Sequence, residues 1–323
     1  MTAIHQVTDG IWQITLPTPF KIGPVNVYLI HTDRWTLVDA GVKTKEAEQL
    51  LTESLSVLGL TLRDIQQVVL THHHPDHIGL THLFQEHAAI MGHPRVEPWL
   101  SKDTRFTARY EMFFDQLYRE MGVPEAYRDK VPTLKDYYHY TSTGTLDVTI
   151  DAGDTIEGLD EWRLIYTPGH AQSHLSLIRE ADGVLLGGDV LLEHVSSNAI
   201  VEPPYHDEES EPLTLLQYRK TMQALLDEPF NLTLPGHGEP FYNGKKLIDQ
   251  RLHRQKERKD KIFNQIASEG SSTFALGKAL FSRVYESQLD LVMSEVHGFL
   301  KWLEVDEQVS TVLNDGIVYY KQK

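Results

Sequence analysis

Residues 71–79 read T-H-H-H-P-D-H-I-G and directly follow the apolar segment I-Q-Q-V-V-L. The apolar segment predicts a β-strand, so we expect the polar groups in a loop at its end, where the backbone can turn them toward one point. His72 and His74 are two residues apart and can contact one metal ion, while Asp76 and His77 point to a neighbouring position. The chain has no cysteine, so any metal site must be built from histidine and carboxylate ligands.

Three further candidate ligands each stand at the end of an apolar segment. They are His170 in Y-T-P-G-H, Asp189 in L-L-G-G-D and His237 in L-P-G-H-G. The flanking glycines allow sharp turns and a close approach of the backbone to an ion. One such motif alone is weak evidence, but three in this order, each at a strand end, indicate a common site with the first cluster.

The order H-x-H-x-D-H, T-P-G-H, G-D and P-G-H-G resembles the metallo-β-lactamase superfamily, including its glyoxalase II-like members, over roughly residues 10–240. The segments N-V-Y-L-I at 26–30 and L-V-D-A-G at 37–41 resemble the first strands of that family. The resemblance implies an α/β fold, a four-layer αββα sandwich, with two divalent metal ions at one edge between its sheets. It also implies that His72, His74 and His170 hold the first ion, that Asp76, His77 and His237 hold the second, and that Asp189 bridges them.

Two divalent ions about 3.5–4 Å apart can share a hydroxide, because they lower the pKa of the parent water toward neutrality. That hydroxide can attack an electrophilic carbonyl carbon or a phosphorus atom. We expect zinc, with manganese and iron as alternatives that the same ligands accept. Asp76 would orient the nucleophile and take its proton, and Asp189 would join the ions, so both are expected to be catalytic. The resemblance thus implies a dinuclear metal-dependent hydrolase.

Three other side chains near these motifs are kept out of the ligand set. Asp39 ends a predicted strand, where it either caps a turn or accepts a hydrogen bond from a ligand histidine. His174 is expected to have a structural role or to support the ligands from behind. His73 is expected to face away from the ions.

Charge and composition narrow the choice of substrate. The 323 residues carry 46 acidic and 30 basic side chains, a formal net charge of −16, which disfavours a nucleic-acid partner. We therefore expect a small ester, thioester or lactone. A phosphodiester or RNA is the alternative, because the basic segment 251–261 and the residues after it resemble a superfamily branch with a C-terminal winged-helix domain, some of whose members cleave RNA. A non-catalytic binding protein stabilised by metal is the second alternative, which turnover of any substrate would exclude.

The remaining sequence predicts a catalytic domain over residues 1–245 and a small winged-helix-like domain over 246–323. A tyrosine-rich helical insertion at about 97–140 either packs on the core or forms a pocket wall. Residues 246–323 predict three helices and a hairpin that turns at Asn-Asp-Gly, and this region is expected to pack on the core as the interface of a homodimer. We find no signal peptide and no apolar run long enough to span a membrane, so the cytoplasm is the expected compartment.

Overall fold

The computed structural model describes residues 3–129, 131, 133–206 and 209–323. Two β-sheets form its centre. The first has seven strands in chain order: β1 (Ile4–Thr8), β2 (Ile11–Leu16), β3 (Val25–His31), β4 (Trp35–Val38), β5 (Ile65–Leu70), β6 (Ala89–Gly92) and β7 (Val148–Thr149). The second, in the order β11-β10-β9-β8, consists of β8 (Trp162–Tyr166), β9 (Leu175–Arg179), β10 (Val184–Gly188) and β11 (Leu232–Pro235).

Three apolar clusters hold four layers together. Helix α1 (Lys45–Val57) covers the outer face of the first sheet through Leu51 and Leu55, which are fully buried. Alternate side chains of both sheets, such as Val69 and Leu186, meet between them. Helices α7 (Thr214–Asp227) and α8 (Gly244–Asn264) cover the outer face of the second sheet. This is the αββα sandwich that the sequence predicted. Strands covered on both faces need apolar side chains on both, which explains the continuous apolar runs.

The segment after β5 differs from the expected loop. Residues 71–74 carry no regular structure, but Pro75–Ile78 forms one helical turn, α2, with Pro75 at its first position. The expectation that Asp76 lies in a loop together with the histidines was therefore wrong. Proline favours the first position of a helix because its φ angle is already suitable. The N–H that proline lacks would have no hydrogen-bond partner within the helix at this position. Successive residues in such a turn point about 100° apart, which sends Asp76 and His77 toward different partners.

The predicted insertion is helical. It contains α3 (Glu97–Leu100), α4 (Thr104–Glu120), α5 (Glu125–Arg128) and α6 (Leu134–Tyr138). Asp103 caps α4, since its side chain accepts a hydrogen bond from the N–H of Phe106 at 2.6 Å. Lys130 and Pro132, which fall within the predicted insertion, lie outside the described residues.

The C-terminal region contains the predicted three helices and hairpin. After α8 come β12 (Ser271–Ser272), α9 (Thr273–Leu280), α10 (Leu289–Val305), β13 (Val309–Asn314) and β14 (Ile317–Gln322). The hairpin turns at Asp315 and Gly316, both with positive φ, as a two-residue turn requires. Helix α10 packs on α7 of the sandwich, where Leu215 joins the same apolar cluster as Phe299 and Leu300. The winged-helix assignment, the domain boundary and the dimer stay predictions. None of the helices in the described ranges is long and apolar enough to cross a membrane.

Candidate metal centre

The structure brings the seven predicted ligand side chains together at one edge of the sandwich, where β5, β8, β10 and β11 end. Their possible ligand atoms form three groups: His72, His74 and His170; His72, His77 and Asp189; and Asp76, His77 and His237. In the first group, His74 Nδ1 lies 2.9 Å from His72 Nε2 and 3.0 Å from His170 Nε2. The first and third groups are the two sets that the family resemblance implied.

Asp189 lies between the two sets. Its Oδ2 atom is 3.5 Å from the Nε2 atoms of both His170 and His237. Its Oδ1 atom is 3.5 Å from His77 Nε2. One carboxylate thus contacts histidines of both sets, which is the position that a bridging ligand requires.

The spacing and the environment of these atoms fit divalent ions. Two nitrogens bound to one tetrahedral zinc lie about 3.3 Å apart, close to the spacings in the first group. His77 Nε2 and Asp189 Oδ1 are buried without a hydrogen-bond partner among the described residues. Buried polar atoms almost always have a partner, and an ion would give these two atoms one. The seven residues could therefore hold two ions, and their nitrogen and oxygen atoms suit zinc, manganese or iron.

Hydrogen bonds to the second ring nitrogen orient the histidines. His170 Nδ1 donates to the carbonyl oxygen of Asn198 at 2.9 Å, and His237 Nδ1 donates to that of Pro24 at 2.7 Å. His77 Nδ1 lies 2.7 Å from Asp39 Oδ2. With Nδ1 engaged in this way, the Nε2 lone pair of each ring can face the site.

Asp39 supports the site from behind, so the second of its two interpretations is confirmed. Besides His77, its carboxylate accepts hydrogen bonds from the backbone N–H and the hydroxyl of Thr71, at 2.7 and 2.8 Å. The same hydroxyl is 3.0 Å from His72 Nδ1. Asp39 has a φ of 63°, a left-handed conformation that aspartate tolerates better than most residues. One buried carboxylate therefore orients histidines of both ligand sets.

His174 and His73 also take the roles expected of them. The backbone N–H of Asp189 donates to His174 Nε2 at 3.1 Å, and His174 Nδ1 is 2.8 Å from the hydroxyl of Thr167. His174 therefore fixes the backbone of the central carboxylate. His73 turns away and stacks on Trp99, with ring centres 3.8 Å apart.

The charges of the metal-free site are unevenly distributed. Burial, followed by the neighbouring histidines, holds the pKa values of His72 and His74 well below their usual range. Burial acts in the same direction on His237, but the negative charges of Asp189 and Asp76 outweigh it and raise the pKa of His237 to about 10. Neutral imidazole is the form that binds a metal ion. An ion that binds at His237 therefore displaces a proton.

A cavity of about 600 Å³ opens on to the predicted ligands. Its aromatic wall consists mainly of residues from the insertion, namely Trp99, Tyr110, Tyr137 and Tyr140, together with Phe20 from the loop between β2 and β3. The same four insertion residues pack against the apolar core of the first sheet, so the segment both packs on the core and lines a pocket. The segment 286–291 of the C-terminal region closes another side. The cavity thus has a largely aromatic wall with a few charged side chains, next to a polar floor of candidate metal ligands.

Glu202 is a buried carboxylate in the wall of this cavity. Its Oε1 atom accepts the backbone N–H of Gln172 at 2.7 Å, and its Oε2 atom accepts the hydroxyl of Tyr205 at 3.0 Å. Burial outweighs these hydrogen bonds and raises the pKa of Glu202 to about 7. The ordinary pKa of glutamate is about 4.3, so the metal-free protein takes up a proton at Glu202 when it folds between these pH values.

This shift predicts a pH-dependent stability difference between the wild type and Glu202→Gln. The glutamate favours the folded state at low pH, and this contribution is lost as the pH rises through 7, whereas glutamine does not titrate. Between pH 5 and pH 8 the free energy of unfolding of the variant, relative to that of the wild type, should therefore increase by about 3 kcal/mol. Urea unfolding of the metal-free proteins measures it. The exposed Glu257→Gln is the control. An equal difference between Glu202→Gln and wild type at both pH values would contradict the prediction.

Sequence reasoning missed Glu202 and the two backbone carbonyls that orient His170 and His237. Glu202 stands in V-E-P-P, which carries no motif. Pro24 and Asn198 act through backbone carbonyls, which every residue has, so no sequence signal marks them. A search for buried acids could have found Glu202 only once the fold was known.

Known proteins are similar to this chain in sequence and in fold. Residues 21–227 match the sequence model of the metallo-beta-lactamase superfamily. The chain is 38% identical, over 97% of its length and 98% of the relative's, to the probable metallo-hydrolase YqjP of Bacillus subtilis. It is 24% identical, over 93% of its length and 56% of the relative's, to an atrochrysone carboxyl ACP thioesterase of Aspergillus fumigatus.

Two solved structures share the fold over almost the whole chain. A metallo-beta-lactamase family protein of Thermus thermophilus superposes with a TM-score of 0.82 at 24% identity and covers 98% of this chain and 100% of its own. A beta-lactamase domain protein of Burkholderia ambifaria superposes with a TM-score of 0.82 at 23% identity and covers 99% of this chain and 94% of its own. Identities this low show the fold alone. The sequence match and the relative in Bacillus show more: this chain belongs to the metallo-beta-lactamase superfamily.

Proposed function

We propose that this protein, a metal-dependent hydrolase of the metallo-beta-lactamase superfamily, cleaves acyl thioesters. The observation that carries the proposal is the aromatic cavity of about 600 Å³ that opens on to the predicted ligands. A largely apolar pocket with a few polar groups at one end suits an acyl chain attached to a reactive carbonyl group. The similarity to a protein named as a thioesterase supports this substrate class.

The side chains around the cavity have separate roles in this proposal. Phe20, Trp99 and Tyr140 contact the acyl chain and exclude water from it. When bound, the divalent ions polarise the carbonyl oxygen and make the attacking water more acidic. Asp76 orients that water and accepts its proton through the carboxylate. The water oxygen bonds to the carbonyl carbon, the C–S bond breaks, and the proton passes from Asp76 to the departing sulfur.

The structure offers less support for a phosphodiester or RNA substrate. Within the basic segment 251–261, Arg251 is buried and contacts the carbonyl oxygens of Leu192 and Val195. Lys259 is 2.7 Å from Asp306. The wall of the cavity carries the carboxylates of Asp136, Glu286 and Asp290, which outnumber the ammonium group of Lys21. A polyanion would meet these negative charges, so electrostatics favour a substrate without phosphates beside the reacting bond.

Turnover by the zinc- or manganese-loaded protein tests the proposal. The panel contains acyl thioesters, lactones, oxygen esters, a model phosphodiester and single-stranded RNA. We expect kcat/KM for the best thioester to exceed that for the phosphodiester and RNA by at least about 100-fold, an advantage of about 2.7 kcal/mol in the transition state.

Asp76→Asn, purified in the same way, is the control for contaminating hydrolases, since it removes the proposed proton acceptor. It should lose most thioesterase activity. Faster cleavage of the phosphodiester or RNA by the wild type would overturn the proposal. So would thioesterase activity that Asp76→Asn retains in full.

A further inference from the structure

A second cavity, of about 520 Å³, lies beside the first, between the helical insertion and α10. Phe114 and Tyr118 of α4 line it, and neither lines the first cavity. Charged side chains line another part of it, where Asp115 forms ion pairs with Arg119 and Arg128. Ser294 of α10 lines it from the opposite side. The mechanism above uses no residue that belongs to this second cavity alone.

One set of side chains lines both cavities and therefore forms the wall between them. We call this wall the partition; its members include Tyr110, Tyr137, Ile200, Asp290 and Leu291. The first two come from the insertion and the last two from the start of α10. The partition thus joins two regions that are far apart in the sequence. Neither region contains a predicted metal ligand.

A hydrogen bond within the partition connects the insertion to α10. The hydroxyl of Tyr137 donates to Asp290 Oδ2 at 3.4 Å. Burial, and then the negative charge of Asp290, hold the pKa of Tyr137 above its usual range. The phenol therefore keeps its proton, and with it this hydrogen bond, at any pH at which the protein would work. Leu291 adds an apolar side chain beside the pair.

We propose that the partition determines the length of the acyl chain that the enzyme accepts, because it separates the first cavity from the second, into which longer chains can extend once the partition is opened. This inference rests on the proposed thioesterase function. A chain that begins at the predicted metal centre fills the first cavity and ends against Tyr137 and Leu291. Longer chains enter the second cavity, alongside Phe114 and Tyr118, only if the partition opens. Because one methylene group changes kcat/KM in an apolar pocket by about 10- to 200-fold, even a small opening has a large effect.

A chain-length series of acyl thioesters, from acetyl to palmitoyl, tests this proposal in the metal-loaded, full-length protein. For the wild type, kcat/KM should fall sharply beyond one length. In Tyr137→Ala and Leu291→Ala the ratio of kcat/KM for the first excluded length to that for the preferred length should rise at least about tenfold. Tyr242→Ala serves as the matched control, because Tyr242 is exposed and lies outside the lining of both cavities.

Two conservative variants separate the hydrogen bond from the bulk of the side chain. Tyr137→Phe keeps the ring but loses the bond, so its length limit should move less than that of Tyr137→Ala. Asp290→Asn keeps an acceptor for Tyr137 and should retain the wild-type limit. Both variants remain informative if an alanine variant does not fold.

Binding of the product carboxylic acids gives a readout that does not need turnover. Calorimetric titration with acids of increasing length should show the same limit in the wild type and the same shift in Tyr137→Ala. An unchanged limit in both alanine variants, in turnover and in binding, would overturn the proposal. Failure of the wild type to cleave any thioester, with a length limit that still moves in the binding series, would instead refute the thioesterase function and leave the partition standing.

Discussion

Asp189→Ala should lose nearly all hydrolytic activity while the protein stays folded. The carboxylate of Asp189 contacts His77, His170 and His237, so it joins the two ligand sets. Substitution of a residue that merely supports a metal ligand already costs about 10- to 100-fold in metal affinity or activity. Loss of the central ligand should therefore exceed about 100-fold in kcat/KM. The fold should persist because the apolar clusters, rather than this polar centre, hold the sheets together.

The measurement is kcat/KM on the best thioester, with circular dichroism to verify the fold. Asp182→Ala is a suitable control. Asp182 is an aspartate in the turn at the other end of β10 and pairs with Arg179 at 2.7 Å. It should keep the wild-type rate. Full activity in Asp189→Ala would rule out the assignment of two ions joined by this carboxylate.

Removal of metal should abolish turnover and lower stability. Ions that bind only the folded state stabilise it by about 4 kcal/mol each when their concentration is about 1,000 times the dissociation constant. Two sites therefore predict a loss of several kcal/mol in the free energy of unfolding after dialysis against a chelator. Two buried atoms, His77 Nε2 and Asp189 Oδ1, give the structural reason: they lie 3.5 Å from each other, and neither has a hydrogen-bond partner among the described residues.

Urea unfolding and turnover should be measured on the same samples, before dialysis, after dialysis and after addition of zinc, manganese or iron. Metal content measured by mass spectrometry gives the number of ions bound per chain. Return of both stability and activity with one metal would identify the functional ion. A dialysed protein that contains no metal yet keeps its full rate and stability would contradict the assignment of these residues as ligands.

The convergence of the seven candidate ligands could be predicted because each stands in a short motif at the end of an apolar strand. His72, His170 and His237 come from distant parts of the chain, yet strand ends that share one edge of a sandwich necessarily bring them together. The sandwich itself could be predicted from apolar runs of strand length. The helical turn at Pro75–Ile78 could not be predicted. Four residues are too few to show a helical pattern, and two of the four are candidate ligands that indicated a loop.

The residues that define the cavity were harder to find. Tyr137 and Asp290 are separated by 153 positions, and neither belongs to a motif. Their contact depends on how the insertion and the C-terminal region pack on the sandwich. That packing involves apolar side chains of α4 and α10, whose helical spacing predicts the helices but not which helix each one contacts. The sequence could indicate an aromatic pocket wall, but not the region that faces it.

The cavity wall and the predicted metal centre are built from different segments of the chain, and this separation has an evolutionary consequence. The wall is built mainly from the loop before β3, the insertion and the start of α10, whereas the predicted ligands lie on other segments. On the proposal above, mutations such as those at Leu291 should change which molecule is recognised without altering the reaction. Related proteins can acquire different substrates through substitutions in these three segments, while the candidate ligands, and with them the reaction, stay the same.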